Sequence, residues 1–153
     1  MLVKEVMTVD PITVTGGTEI FKAAKILLDN RINGVPVVDD AGKLVGILCQ
    51  SDIIAQQKKL PLPSLFSFLD GYISLSSTKN LEKEVRKIAA TAVVDAMTPN
   101  PVTVGPDSSI ETVAALMVDQ NFHTLPVVEN GVLVGVVGKE DILRTLLPAD
   151  RTP

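Results

Sequence analysis

The chain carries the same pattern twice, in the same order and at nearly constant spacing. Residues 6–14 (VMTVDPITV) return as residues 96–104 (AMTPNPVTV), and residues 35–39 (VPVVD) return as 125–129 (LPVVE). Leu44-Val45-Gly46-Ile47 returns as Leu133-Val134-Gly135-Val136, and Asp52-Ile53 as Asp141-Ile142. The offset is 90 residues up to Val38 and 89 from Gly42 onward, so the second copy is one residue shorter in the turn near Asp40. Two copies of one small unit bury their apolar faces most simply by packing about a pseudo-twofold axis. Such packing leaves paired clefts between the copies, and clefts of that kind are frequent ligand sites.

Each copy reads as β-α-β-β-α. Thr13-Val14 and Val102-Thr103-Val104 are short β-branched runs and predict a first strand. Thr18 and Ser108 are expected N-caps, Ser108 forming a capping box with Glu111. Helical spacing follows at Ile20, Ala23, Ala24, Leu27 and Leu28, and at Ile110, Val113, Ala114 and Met117. Pro36 and Pro126 open the next strands, where a missing N–H is tolerated. Asp40-Ala41-Gly42-Lys43 and Glu129-Asn130-Gly131 are hairpin turns leading into Leu44–Leu48 and Val132–Val137. Ser51-Asp52 and Glu140-Asp141 then start a final helix, with acids placed at the positive end of its dipole.

The organisation expected is a first unit over residues 1–58, an insert over 59–92, and a second unit over 93–153. The insert holds an aromatic segment, Phe66, Phe68 and Tyr72, read as a cap over the core, with a dimer contact or a lid as the alternatives. A helix with Leu81, Val85, Ile88 and Ala92 on one face follows.

Composition removes several function classes. With 46 % hydrophobic residues in 153, the chain has the makings of a sizeable core. A net charge of −4 argues against a binder of nucleic-acid backbones. No apolar run is long enough for membrane insertion, and charges near the start oppose a signal peptide, so a cytoplasmic location is expected. One Cys and one His cannot build a zinc site of the usual composition, and no phosphate loop or dinucleotide-binding glycine fingerprint is present.

Each copy resembles a CBS motif, the unit named after cystathionine β-synthase. The resemblance rests on the Met-Thr lead-in, the Val-Pro-Val-Val strand, the hairpin, and Leu-Val-Gly-Ile with an Asp six residues after the Gly. The tandem pair is similar to a Bateman module and implies an α/β (α+β) fold of two pseudo-symmetric units packed through their sheets. It also implies a homodimer that binds an adenosine-containing ligand and controls a separate, unknown effector protein. No cofactor is required on this reading. AMP or ADP is expected ahead of ATP, with NAD and S-adenosylmethionine also in the class. An enzyme is the disfavoured alternative, and a dimerisation or docking protein with vestigial clefts is the other.

By the same resemblance, Asp52 and Asp141 match the family's ribose-binding acid, since a carboxylate can accept both hydroxyls of a diol. The adenine slot for the Asp52 cleft then falls on Ile47, Val102, Phe122, His123 and Thr124, with Cys49 and Ser51 beside the acid. For the Asp141 cleft it falls on Ile12, Ile32, Asn33, Gly34 and Val136. Phosphate is expected over the start of the final helix. Cys49 and Gly138 stand where the family usually has Ser or Thr, and Glu140 brings a negative charge to the second cleft, offset by Lys139. His123 and Arg31 are the other candidate basic groups. The Asp52 cleft is therefore expected to be the stronger one.

Overall fold

The computed structural model of the chain describes residues 1–59 and 91–148. The first copy contributes a 3-10 turn (Val3–Glu5), β1 (Thr8–Val9), β2 (Val14–Thr15), α1 (Ile20–Asp29), β3 (Gly34–Val38), β4 (Leu44–Cys49) and α2 (Gln50–Lys59). The second contributes α3 (Val93–Ala96), β5 (Thr98–Pro99), α4 (Ile110–Asp119), β6 (Thr124–Glu129), β7 (Val132–Gly138) and α5 (Lys139–Arg144). The expected mixed α/β fold of two β-α-β-β-α units is present. The readings made for the aromatic segment and for the insert helix up to Ile88 lie outside the described residues; Ala92, the last position of that expected stripe, is extended, bridges to Glu19 and precedes α3.

The elements form where the periodicity puts them. α1 buries Ile20, Ala23 and Leu27, and α4 buries Ile110, Val113 and Met117, the same stripe in both copies. Both helices end alike: Arg31 and Asn121 take left-handed φ of 54° and 57°. The amides of Ile32 and Phe122 then reach back to the carbonyls of Leu27 and Met117. The hairpins share one register, Gly34 opposite Cys49 and Thr124 opposite Gly138, with an irregularity between Val37 and Val38 and again between Val127 and Val128. Their tips differ. Asn130 and Gly131 both have positive φ, as a two-residue turn requires. The first copy's longer turn is held instead by Asp39 Oδ1, which accepts from the amides of Ala41 and Lys43. This is where the repeat offset changes.

The stretches that open each copy do not stay with their own copy. β1 pairs antiparallel with β7, giving the order β1-β7-β6, and β5 pairs antiparallel with β4, giving β2-β3-β4-β5. Val3 is fully buried in the second copy's core beside Val113, Leu125 and Val137. Val93 is fully buried in the first copy's core beside Leu27, Val35 and Leu48. Main-chain bonds fix both leaders: Val3 N donates to Ser108 O at 2.9 Å and Val93 N to Thr18 O at 2.8 Å.

This exchange corrects the expected caps. The main chain at 18–19 and 108–109 is held against the opposite leader, so each helix begins later than predicted. Ser109, not Ser108, caps α4, accepting from Thr112 N at 3.1 Å. Ser108 Oγ accepts from Gly105 N, and Thr18 Oγ1 from Thr15 N, so both stabilise the preceding turn and neither forms the expected cap. The first strand is shifted by one residue in the first copy and shorter than read in the second. Only Val14–Thr15 forms in the first copy, and in the second only Val104, as a parallel bridge to Val127.

The exchange further explains the glycines in Leu-Val-Gly. A Cβ on Gly135 would lie 2.7 Å from the Thr8 carbonyl oxygen, and one on Gly46 would lie 2.9 Å from that of Thr98. Methionine sulfur from Met7 or Met97 crowds the same spots. A side chain at either position must push the crossing strand away. Gly135→Ala is accordingly expected to cost about 1–3 kcal/mol, the range for overpacking, and to lower the melting temperature by about 2–4 °C for each kcal/mol. Gly17→Ala, where a Cβ meets nothing within 4 Å, is the control and should leave the melting temperature unchanged in the same scanning calorimetry.

Candidate functional site

Two clefts open where the copies meet, and each takes walls from both. The first, about 340 Å³, is lined by Ile47, Cys49, Ser51 and Asp52 from the first copy and by Thr98, Asn100–Val102 and Gln120–Pro126 from the second. Every residue expected around Asp52 is therefore in one cavity: Ile47, Cys49, Ser51, Val102, Phe122, His123 and Thr124. The second cleft, about 290 Å³, gathers Ile12, Ile32, Asn33, Gly34, Val136 and Asp141, again the full expected set. His123 and Thr124 line this cleft as well, which the sequence did not indicate. They form a shared wall between the two cavities. Gly34 makes the close approach there possible, because a Cβ on it would lie 3.2 Å from Cys49 Sγ and 3.5 Å from Thr124 Cβ.

Both aspartates are third residues of a helix, and one oxygen of each is spent on that helix. Asp52 Oδ2 accepts from Cys49 N at 2.7 Å, and Asp141 Oδ2 from Gly138 N at 2.8 Å. The second oxygens differ. Asp52 Oδ1 has no hydrogen bond to a described residue. Asp141 Oδ1 faces Arg144 Nη1 at 3.4 Å, and the other end of that guanidinium lies 3.9 Å from Glu140. Burial raises the pKa of Asp52, and the Cys49 amide pulls it partly back. Burial also pushes the Cys49 thiol up to about 11, with the neighbouring Asp52 adding to it.

The sequence reading missed Arg144, three residues after Asp141 and therefore on the same helix face. It also missed Thr8, Asp10 and Pro11 in the second cleft and Thr98, Asn100 and Pro101 in the first. These arrive through β1 and β5, which no local pattern assigns to the opposite copy. The repulsion expected in the Asp141 cleft from Glu140 is met there by Arg144 as well as by Lys139 and Arg31, all of which line it. Among the described residues no cluster of potential ligands could hold a metal ion, and no helix is long and apolar enough to cross a membrane.

The family model for the CBS domain matches residues 3–59 and 93–148. The chain belongs to the CBS-domain family. It is similar to the uncharacterized protein MJ1426 of Methanocaldococcus jannaschii, 32 % identical over 157 residues that cover 96 % of this chain and 92 % of that protein. It is 29 % identical to the chloroplastic CBS domain-containing protein CBSX2 of Arabidopsis thaliana over 88 % of this chain, but spans only 58 % of that protein's length. Among solved structures, CBSX2 in complex with AMP superposes with a TM-score of 0.71 at 26 % identity, covering 95 % of both chains. The CBS domain pair of MJ0100, in complex with 5′-methylthioadenosine and S-adenosyl-L-methionine, superposes at 0.69 with 31 % identity and the same coverage. These likenesses support a nucleotide-binding regulatory module.

With its pKa pushed up to about 11 by burial, the Cys49 thiol is held protonated at neutral pH and only a small fraction is thiolate at pH 8. Alkylation by iodoacetamide at pH 8, followed by intact-mass spectrometry, is expected to run far slower on the folded protein than on the same chain in denaturant.

Proposed function

We propose that this chain is a regulatory module that binds an adenosine-containing ligand in the clefts between its two CBS motifs and reports occupancy to a separate protein in the cytoplasm. The carrying observation is that each cleft joins both copies around a carboxylate at one helix start, with branched apolar side chains beside it, Ile47 and Val102 in one and Ile12 and Val136 in the other. A purine needs a flat apolar slot and a ribose needs an acceptor for two hydroxyls. A ligand that fills such a cleft touches both copies at once, so binding changes how firmly the copies are held together. The complexes of CBSX2 with AMP and of the MJ0100 pair with two adenosine derivatives support the ligand class. Binding is favoured over catalysis because the surroundings of the one thiol in a cleft, burial and the neighbouring Asp52 carboxylate, disfavour its thiolate and so do not activate it as a nucleophile.

A second reading, a dimerisation or docking protein, has its own support in the apolar residues that α2 and the C-terminal turns leave uncovered. Ile54, Leu143, Leu146 and Leu147 are each more than half exposed, whereas Ile53 and Ile142 on the same helices pack on the cores. We read this face as a homodimer contact that accompanies ligand binding.

Calorimetry of the purified protein is expected to show AMP and ADP binding more tightly than ATP, because each added phosphate brings charge to one cleft whose cations are already matched by acids and to another that no Lys or Arg among the described residues lines. Asp52→Ala and Asp141→Ala should each weaken only the cleft that carries the substituted carboxylate, for whichever adenosine ligand that cleft holds, by about 1.5–3 kcal/mol, the cost of losing a hydrogen bond to a charged group. If neither substitution alters binding, the carboxylates are helix caps only.

Sedimentation is expected to show a dimer at tens of micromolar, an order-of-magnitude range for such contacts. Leu146→Asp, at a side chain 78 % exposed in the single chain, should yield a folded monomer.

A further inference from the structure

We infer that the two clefts sort ligands by charge: the Asp141 cleft takes the phosphorylated nucleoside and the Asp52 cleft takes an uncharged one. This rests on the reading of both clefts as nucleoside sites. The repeat allows the clefts to be compared position by position. Around Asp141 stand Asp10, Arg31, Lys139, Glu140 and Arg144. Their counterparts in the other copy are Asn100, Asn121, Gln50, Ser51 and Ala55, neutral at every position. Among the described residues no Lys or Arg lines the Asp52 cleft, and Asp52 is the sole formal charge in its lining. His123 lines both clefts and so favours neither.

The second oxygens of the aspartates work in the same direction. Asp52 Oδ1 can accept a ribose hydroxyl without breaking any bond to a described residue. Asp141 Oδ1 is turned toward Arg144. A ribose that takes this oxygen must displace the guanidinium, and a phosphate on the same ligand gives the guanidinium an anion to replace the one it loses. An uncharged nucleoside provides no such replacement. In the Asp52 cleft a phosphate meets a carboxylate with no cation to balance it, and the cost is greatest in the half-buried setting that already raises the Asp52 pKa.

The test uses two probes that share adenosine and differ at the 5′ position: AMP and 5′-methylthioadenosine. Each is titrated calorimetrically into the full chain, into Asp52→Asn, and into the double variant Lys139→Gln/Arg144→Gln, with melting curves to confirm folding. In the double variant AMP affinity is expected to fall about tenfold or more, since two charge-assisted contacts are lost, while 5′-methylthioadenosine is unaffected. In Asp52→Asn the reverse is expected. Raising salt should weaken AMP and leave the thioether alone. Sorting is overturned if the double variant binds AMP as the parent chain does, or if Asp52→Asn loses AMP and keeps 5′-methylthioadenosine. Should Lys139 and Arg144 prove needed for folding, Arg31→Gln carries the same comparison. If the folded parent chain binds neither probe, the nucleoside reading itself falls, and the sorting falls with it.

Discussion

Each copy's core is closed by a residue that belongs, in the sequence, to the other. Val3 has no exposure in the second core and Val93 none in the first. Removing either leader would open a cavity in the opposite copy and strip the edge from the opposite sheet, where β1 covers β7 and β5 covers β4. The copies are therefore not two small domains that happen to touch. Neither has a complete core without the other, which is a direct physical route to a single cooperative unit from two very small ones. The crossing strands also deliver Thr8–Ile12 and Thr98–Val102 to the rims of the clefts. The interaction that completes the cores is the one that builds the sites.

Close approach is the price of that arrangement, and the repeated glycines meet it. β1 and β5 pass over β7 and β4 with carbonyl oxygens less than 3 Å from where a Cβ would stand. Gly34 plays a comparable part at the centre, letting Cys49 and Thr124 come together in the wall common to both clefts. What repeats between the copies is this framework: the glycines under the crossing strands, Gly46 and Gly135, the helix stripes, the hairpin register, and the carboxylate reaching back to its own helix start. What does not repeat is the charge around it.

Much of this was legible because it is local. Helix stripes at Ile20–Leu27 and Ile110–Met117 and the two hairpins follow from periodicity and turn chemistry. The residues expected around each aspartate are gathered as the family resemblance implied. What stayed hidden is what depends on the chain's return. β5 is Thr98–Pro99, too short to carry any period. The caps moved because Thr18 and Ser108 answer to a leader some seventy to a hundred residues away. Arg144 was within reach of sequence reasoning, since a residue three positions after an acid on a helix lies beside it. What helical spacing alone does not give is that this face of the helix lines the cleft shared with the other copy.

Net charge is a poor guide to what these clefts prefer. The chain carries −4 overall, which ranks anions by their charge when nothing else is known. At physiological salt the screening length is about 8 Å, so most of that charge is invisible to a phosphate seated in a cleft. What it meets are the groups lining the same cavity. In one cleft three cations stand among three acids, with Arg144 joined to two of those acids. In the other a partly buried carboxylate stands without a cation among the described residues. At about 4 Å a single opposite charge changes an interaction by about 1 kcal/mol in bulk water and about 4 kcal/mol at the lower effective dielectric near a protein surface. One well-placed arginine therefore outweighs the summed charge of the whole molecule, and the identity of the residue at position 144 or 55 decides more about an anion than the isoelectric point does.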